Sequence, residues 1–546
     1  MYHIILITIL AFILRLIALL KTGELWNDEL FSWYFASQKS VFDTVLKSVN
    51  EDIHMPLYFA ILHFWIKLFN DSANTMRALS LILSIGLIPL SYFVSNKLFN
   101  KQTAIFTSLF LSLNTFCIYY SLEVRFYCLS LILSLLCAYF FERQKWFYFV
   151  LCIALLFYTF SITPLLLLSY FVIAFIYLIY KKEKIKDFLL AHCFLALITL
   201  PAIIWTIKNI VEMHTSLTFF PEDTFIFSLN DILDVFENFF SFDNFRITKG
   251  LFALREFNLL NPIYLFFTFI PILIGCIGLI KGMISKNKTF NLLFYPVALF
   301  FIALLILSIF KLAVFQTRYL CVIFPSIVIC FCFGLTQFKN KIVSIILFIL
   351  MILLSSFGLI FQKKTIYNIH RTSMNDFRNY LNNVVQLKND DLILAPLVGN
   401  QLTYYIDKGN LIPFSADGAF VLKDRKSRIF YFGDDAKKLN RYNSMDFIKN
   451  NVINDIPIKT YEYNLKREYI DNLKENQRIV FIAFLTFLIQ SPKEKNITYE
   501  NYSENNRVGI LLYKALRDSL LILGKYMTLE NSYTSPEGYS VFVFRK

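Results

Sequence analysis

HIILITILAFILRLIALLKTGELWNDEL, residues 3–30, decides how the rest of the chain is read. Residues 3–20 are apolar apart from His3, Thr8 and Arg15. A helix rising about 1.5 Å per residue needs roughly 20 such residues to cross about 30 Å of hydrocarbon. The run is too long for a signal-peptide core and ends in Lys21-Thr22-Gly23 with no small-x-small cleavage site, so it reads as a transmembrane helix. Just beyond it stand Asp28 and Glu29. Two adjacent carboxylates at the membrane edge are costly beside hydrocarbon and are simple equipment for acid–base chemistry.

Working outward, the same pattern recurs. Of 546 residues, 57% are hydrophobic, 17% are charged and 61 are Phe, at a mean hydropathy of +0.55. Apolar runs near 3–20, 76–98, 103–121, 126–142, 146–161, 163–180, 188–206, 261–280, 290–310, 319–337 and 342–361 predict about 11 transmembrane helices. Residues 56–69 are too short to span and are expected along the membrane interface. All nine cysteines lie in apolar runs, as packing residues rather than a disulfide frame or zinc site.

The net charge of +14 has its source in the loops. Lys97, Lys101, Arg143, Lys145, Lys181, Lys182, Lys184, Lys281, Lys286, Lys288, Lys339 and Lys341 fall on one face if there are eleven spans. The positive-inside rule makes that face cytoplasmic. The N-terminus is then inside, the first loop (21–75), the loop 207–260 and residues 362–546 are outside, and the composition suits a bacterial inner membrane. No nucleic-acid-binding signature is present, so the basicity serves membrane orientation and lipid contact.

From residue 362 the composition turns hydrophilic. Residues 391–395, 428–432, 478–482 and 539–544 predict strands, and 373–388, 435–450 and 504–522 predict helices. The domain division is therefore 1–361, the membrane domain, and 362–546, an extracytoplasmic α/β domain. There is no Gly-x-Gly-x-x-Gly and no P-loop, hence no nucleotide site.

On this topology one membrane face collects Asp28, Glu29, Glu51, Asp52 and His54 from the first loop, Glu123 and Arg125 from the turn after the third span, and Lys311, Arg318 and Tyr319 before the tenth. Such a set suits a lipid phosphate. Guanidinium forks match phosphate oxygens, and a carboxylate can take a proton. Adjacent side chains on a helix point apart, so Asp28 is expected to face substrate and Glu29 to pair with Arg15 or Arg125. A divalent metal, if one is used, would draw on Asp28, Glu51, Asp52, His54 and Glu123. A transporter or lipid flippase is the competing class. It would spread ionisable residues through several spans, whereas here they gather at one face.

Arg15, Trp26-Asn27-Asp28-Glu29, His54-Met55-Pro56-Leu57-Tyr58, Tyr120-Ser121-Leu122-Glu123-Val124-Arg125-Phe126-Tyr127 and Arg318-Tyr319-Leu320 follow in order. Over residues 1–361 this resembles the bacterial GT-C glycosyltransferases related to protein O-mannosyltransferases and to the lipid A aminoarabinose transferase. The resemblance implies a polytopic enzyme that moves a sugar from a polyprenyl-phosphate donor to a lipid, glycan or protein acceptor on the extracytoplasmic face, inverting the anomeric centre. It implies catalytic roles for Asp28, Glu29 and Glu123, and contacts to lipid phosphate or sugar from Arg15, His54, Tyr58, Arg125, Tyr127, Arg318 and Tyr319. The family's His motif carries two prolines. Met55 replaces the first, which is expected to loosen that turn.

Overall fold

The computed structural model describes residues 2–51, 55–181, 185–214, 229–240, 262–310, 314–361, 369–396, 404–405, 410–414, 422–424, 427–430, 473–484, 523–524, 526–534 and 539–546. They form two compact units. The first comprises residues 1–22, 35–207 and 226–368, and the second residues 23–34, 208–225 and 369–546.

The first helices are α1 (Tyr2–Lys21), α2 (Asn27–Ala36), α3 (Val41–Glu51), α4 (Leu57–Leu68), α5 (Ala73–Leu98), α6 (Lys101–Leu113), α7 (Thr115–Tyr120) and α8 (Tyr127–Glu142). They are followed by α9 (Trp146–Phe157), α10 (Thr163–Lys181), α11 (Ile185–His214), α12 (Leu229–Phe240), α13 (Pro262–Ile284) and α14 (Lys288–Ile309). Next come α15 (Thr317–Leu320), α16 (Phe324–Leu335), α17 (Lys341–Phe361) and α18 (Ile369–Tyr380). A helix meets every predicted apolar run. Among the described residues, six helices are long and apolar enough to cross a membrane: Tyr2–Lys21, Ala73–Leu98, Thr163–Tyr180, Ile185–Trp205, Lys288–Ile309 and Thr317–Leu335.

The predicted span 103–121 is broken. Helix α6 stops at Leu113 and α7 starts at Thr115, because Asn114 turns to extended backbone and its side chain accepts from the Cys117 N–H at 3.1 Å. An Asx cap costs little to form here and competes directly with helix continuation. The predicted span 319–337 is likewise composite. Helices α15 and α16 are joined by a short 3-10 turn at Cys321–Ile323.

Small residues let the helices of this unit close up. Ser80, Ser84, Ser91 and Ser95 form a fully buried stripe on α5. Helices α13 and α16 approach most tightly at glycine. A Cβ on Gly334 would stand 1.6 Å from the Gly278 carbonyl oxygen, and one on Gly278 would stand 2.6 Å from the Phe331 carbonyl oxygen.

The second unit holds a five-stranded mixed sheet. Its strands are β1 (Leu392–Pro396), β2 (Asn410–Phe414), β5 (Arg478–Phe484), β6 (Thr528–Thr534) and β7 (Tyr539–Arg545), in the order β2-β1-β5-β7-β6. The short strands β3 (Leu422–Asp424) and β4 (Ser427–Phe430) pair separately. β1 runs parallel to β2 and β5, and β7 antiparallel to β5 and β6. Ile393, Val480, Ile482, Val541 and Val543 are buried in the sheet, as are Phe377, Leu381 and Val385 at the four-residue spacing that one helix face requires. The predicted helices 435–450 and 504–522 lie outside the described residues.

One ion pair locks the register between β1 and β5. Arg478 donates Nε–H to Asp391 Oδ1 at 2.9 Å and Nη2–H to Oδ2 at 2.6 Å, and it also binds the carbonyls of Val385 and Gln386 at 3.0 and 3.1 Å. The Asp391 hydrogen bond raises the Arg478 guanidinium above its ordinary pKa, outweighing burial. Both side chains are nearly inaccessible, so deleting one strands the other.

Three substitutions test this packing. Gly334→Ala should destabilise the folded chain by more than about 3 kcal/mol, since the contact is with backbone that cannot give way. Gly86→Ala, with open space around it, should leave thermal unfolding in detergent unchanged or slightly raised. Arg478→Ala should cost about 3–5 kcal/mol and make the C-terminal sheet protease-sensitive.

Candidate active site

The turn between α7 and α8 exists because of the break at Asn114. Helix α7 has six residues and ends at Ser121, where Leu122 and Glu123 return N–H bonds to Tyr119 and Tyr120 at 3.0 and 3.3 Å. The turn is buried throughout: Glu123 is 2% exposed and Arg125 4%. A carboxylate and a guanidinium held two residues apart in such a place are expensive to bury. The Arg125 guanidinium lies 5.3 Å from the centre of the Phe126 ring.

A run of aromatic contacts joins this turn to the start of α15. Tyr127 meets Tyr120 and Phe126 at 4.4 and 4.8 Å, Phe126 meets Phe160 at 4.7 Å, and Phe160 meets Tyr319 at 6.1 Å. Arg318 donates Nε–H to Gln316 at 2.8 Å and lies 5.1 Å from the Tyr319 ring centre. Glu123, Arg125, Tyr127, Arg318 and Tyr319 therefore belong to one neighbourhood.

Helix α12 completes that neighbourhood, and the sequence reading passed over it as part of the loop 207–260. Its Asn238 Nδ2 donates to Thr317 Oγ1 at 3.2 Å, and Glu237 beside it is buried. The signal was available: Leu229, Ile232, Leu233, Val235, Phe236, Phe239 and Phe240 repeat at helical spacing. The last carbonyls of α12 are taken by Asn114 Nδ2 (from Phe239, 3.2 Å) and Ser355 Oγ (from Phe240, 2.8 Å).

Arg15 has a different use from the one expected. It is fully buried and donates to Ser84 Oγ at 2.8 Å and to the carbonyls of Ala11, Ser112 and Leu111 at 3.3, 2.9 and 3.2 Å. Leu111 and Ser112 lie in the last turn of α6, whose carbonyls have no intrahelical partner. The guanidinium caps that end, with its charge aligned to the helix dipole. These acceptors are all uncharged, and together they occupy the guanidinium.

Asp52 and His54 lie outside the described residues, and Glu51 closes α3. Met55 is buried against Phe157, Ala202 and Trp205, and the Leu57 N–H donates to the Tyr158 carbonyl at 2.9 Å. Tyr58 is buried, with its hydroxyl 3.2 Å from Ser80 Oγ. His63 donates Nδ1–H to the Ala36 carbonyl at 2.8 Å. Among the described residues no three His, Cys, Asp or Glu side chains form a metal site.

Asp28 and Glu29 belong to the second unit. Glu29 is buried at the third position of α2, and its carboxylate accepts the Trp26 N–H at 3.2 Å, closing the first turn. This is the carboxylate half of a capping box, so Glu29 has a structural task. Asp28, half-buried in the same turn, sits where unpaired helix N–H groups favour negative charge.

No family model matches the chain, and no curated protein sequence matches it. Solved structures do. ArnT from Cupriavidus metallidurans bound to undecaprenyl phosphate superposes with a TM-score of 0.51 at 10% identity, covering 99% of this chain and 97% of that one. Archaeal oligosaccharyltransferase AglB from Archaeoglobus fulgidus, in complex with an inhibitory peptide and a dolichol-phosphate, gives 0.52 at 11% identity, covering 99% and 74%. The fold is of the GT-C type. The match extends through the C-terminal part of the chain as well as the helices.

The Arg15 cap makes a direct prediction. Arg15→Leu should strand the α6 carbonyls and lower stability by about 1–3 kcal/mol in detergent thermal unfolding, with Arg15→Lys intermediate.

Proposed function

We propose that the chain is an inverting membrane glycosyltransferase. It takes a sugar from a polyprenyl-phosphate carrier and delivers it to a lipid, glycan or protein acceptor on the extracytoplasmic face. The observation that carries this reading is the near-full-length fold shared with ArnT in its undecaprenyl-phosphate complex. Fold alone would be weak grounds. It is supported by the buried Glu123 and Arg125, which share a neighbourhood with Arg318.

The chemistry balances with these residues. An acceptor hydroxyl oxygen attacks the anomeric carbon from the face opposite the phosphate, and the carbon–oxygen bond to phosphate breaks as the new one forms. The electron pair leaves on the polyprenyl phosphate, and the acceptor proton goes to the Asp28 carboxylate. Arg125 and Arg318 meet the phosphate charge, Arg15 being committed to the end of α6. Tyr58, Tyr127 and Tyr319 supply aromatic surface beside the sugar or lipid, and His54 and Glu123 orient the acceptor. No nucleotide sugar is needed, in keeping with the missing phosphate loop. In this reading the N-terminus is cytoplasmic and the C-terminal domain extracytoplasmic, by the lysine-rich short loops.

The test is mass spectrometry of lipids, glycans and proteins from cells with and without the chain. One molecule should lose a hexose or pentose mass in its absence. Asp28→Asn should lower transfer about 10²–10⁴-fold at normal expression. Arg125→Lys should lower it about 10–100-fold. An unchanged glycan profile, or full transfer by Asp28→Asn, would overturn the assignment.

A further inference from the structure

We propose that the C-terminal domain positions the first turn of α2, with Asn375, Arg378 and Tyr405 acting as positioning residues for Asp28. The inference rests on the functional reading of Asp28 and extends it to residues about 350 positions away in sequence.

Residues 24–30 are held almost group by group. Asn375 Oδ1 accepts the Glu24 N–H at 2.8 Å. The Tyr405 hydroxyl donates to the Leu25 carbonyl at 2.6 Å. Arg378 pairs with the Glu24 carboxylate. Trp26 gives its N–H to Glu29, and Leu30 gives its N–H to the Trp26 carbonyl at 2.9 Å. Further along α2, the Trp33 ring meets Tyr404 edge-on at 5.0 Å. Two of these contacts reach the main chain, so they fix the path of the backbone as well as its side chains.

The clamp is anchored in the domain core. Tyr405 is buried, its ring meets Phe377 at 6.2 Å, and the Arg378 guanidinium lies 6.0 Å from its centre. Phe377 shares its helix face with the buried Leu381 and Val385. Burial alone would lower the Arg378 pKa, and the adjacent Glu24 carboxylate more than reverses that. Both side chains of this pair remain partly exposed, so the ion pair adds little stability by itself. The hydrogen bonds to Glu24 N–H and Leu25 C=O are the larger constraint.

A catalytic group displaced by about 1 Å can lose about 10²-fold in rate. Loosening residues 24–25 should therefore act on catalysis without touching Asp28. The experiment is hydrogen–deuterium exchange on the full-length protein, combined with the transfer assay described above. In the Asn375→Leu/Tyr405→Phe double variant, exchange should rise in peptides covering 23–34 and stay at wild-type level in 478–484, which reports the sheet. Transfer should fall about 10²-fold. Asn375→Asp, which keeps an acceptor for the Glu24 N–H, should retain both protection and activity. Unchanged exchange at 23–34 would overturn the clamp, as would raised exchange with full transfer. Should Asp28→Asn prove active, the catalytic reading fails, and the exchange measurement still decides whether the clamp exists. If the double variant loses protection in 478–484 as well, the single Tyr405→Phe variant, which keeps the ring, carries the same test.

Discussion

A helix that stops inside hydrocarbon leaves carbonyl groups that no water can reach. This chain stops α6 at Leu113, and much of the first unit is arranged around that decision. Arg15 of α1 takes the stranded carbonyls of Leu111 and Ser112, and Ser84 of α5 holds the same guanidinium from its Nε. Asn114 starts α7 with its oxygen and takes the end of α12 with its nitrogen. The six-residue α7 then reaches its end early enough to place a tight turn where a continuous span would have run on. Glu123 and Arg125 sit in that turn. A buried arginine and an asparagine thus settle the helix ends ahead of the turn that carries Glu123 and Arg125.

Three arginines show how differently local geometry can employ the same cation. Arg15 is spent on main-chain and hydroxyl oxygens. Arg478 forks onto Asp391 and locks two parallel strands. Arg318 lies across the Tyr319 ring at a helix start, where the N-terminal end of the dipole also favours an anion. Their acceptors, and not the residue type, distinguish them.

What the sequence disclosed follows the same physics. Apolar runs fall on helices because crossing length is a one-dimensional property. The strands 392–396, 478–484 and 539–545 were legible from short β-branched and aromatic runs. The break at Asn114 was hidden because apolar residues continue on both sides of it. Strands β2 and β6 were hidden because Pro413, Glu530 and Asn531 dilute their pattern, and their pairing depends on partners distant in the chain. The packing of Met55 was hidden for a similar reason: its partners Phe157, Ala202 and Trp205 are distant in sequence. Of the site, the residue types were legible and their division of labour was not. Nothing in the pair Asp28-Glu29 says that the second carboxylate turns back to cap its own helix.

That cap bears on why a distant domain is needed at all. Helix α2 has ten residues, NDELFSWYFA, of which four are aromatic and only Glu29, Leu30 and Ala36 are strong helix formers. Isolated helices shorter than about 12–15 residues are marginal even with ideal composition. A lone N-terminal cap contributes only about 1 kcal/mol, too little to hold a carboxylate to catalytic tolerance. Ordering must come from tertiary contact. Asn375 and Tyr405 supply it at the main chain of residues 24 and 25, immediately ahead of the cap. A mobile loop would satisfy the sequence requirement for an acid near the membrane. A loop whose main-chain groups are met by side chains of a folded domain has its backbone path set by that domain.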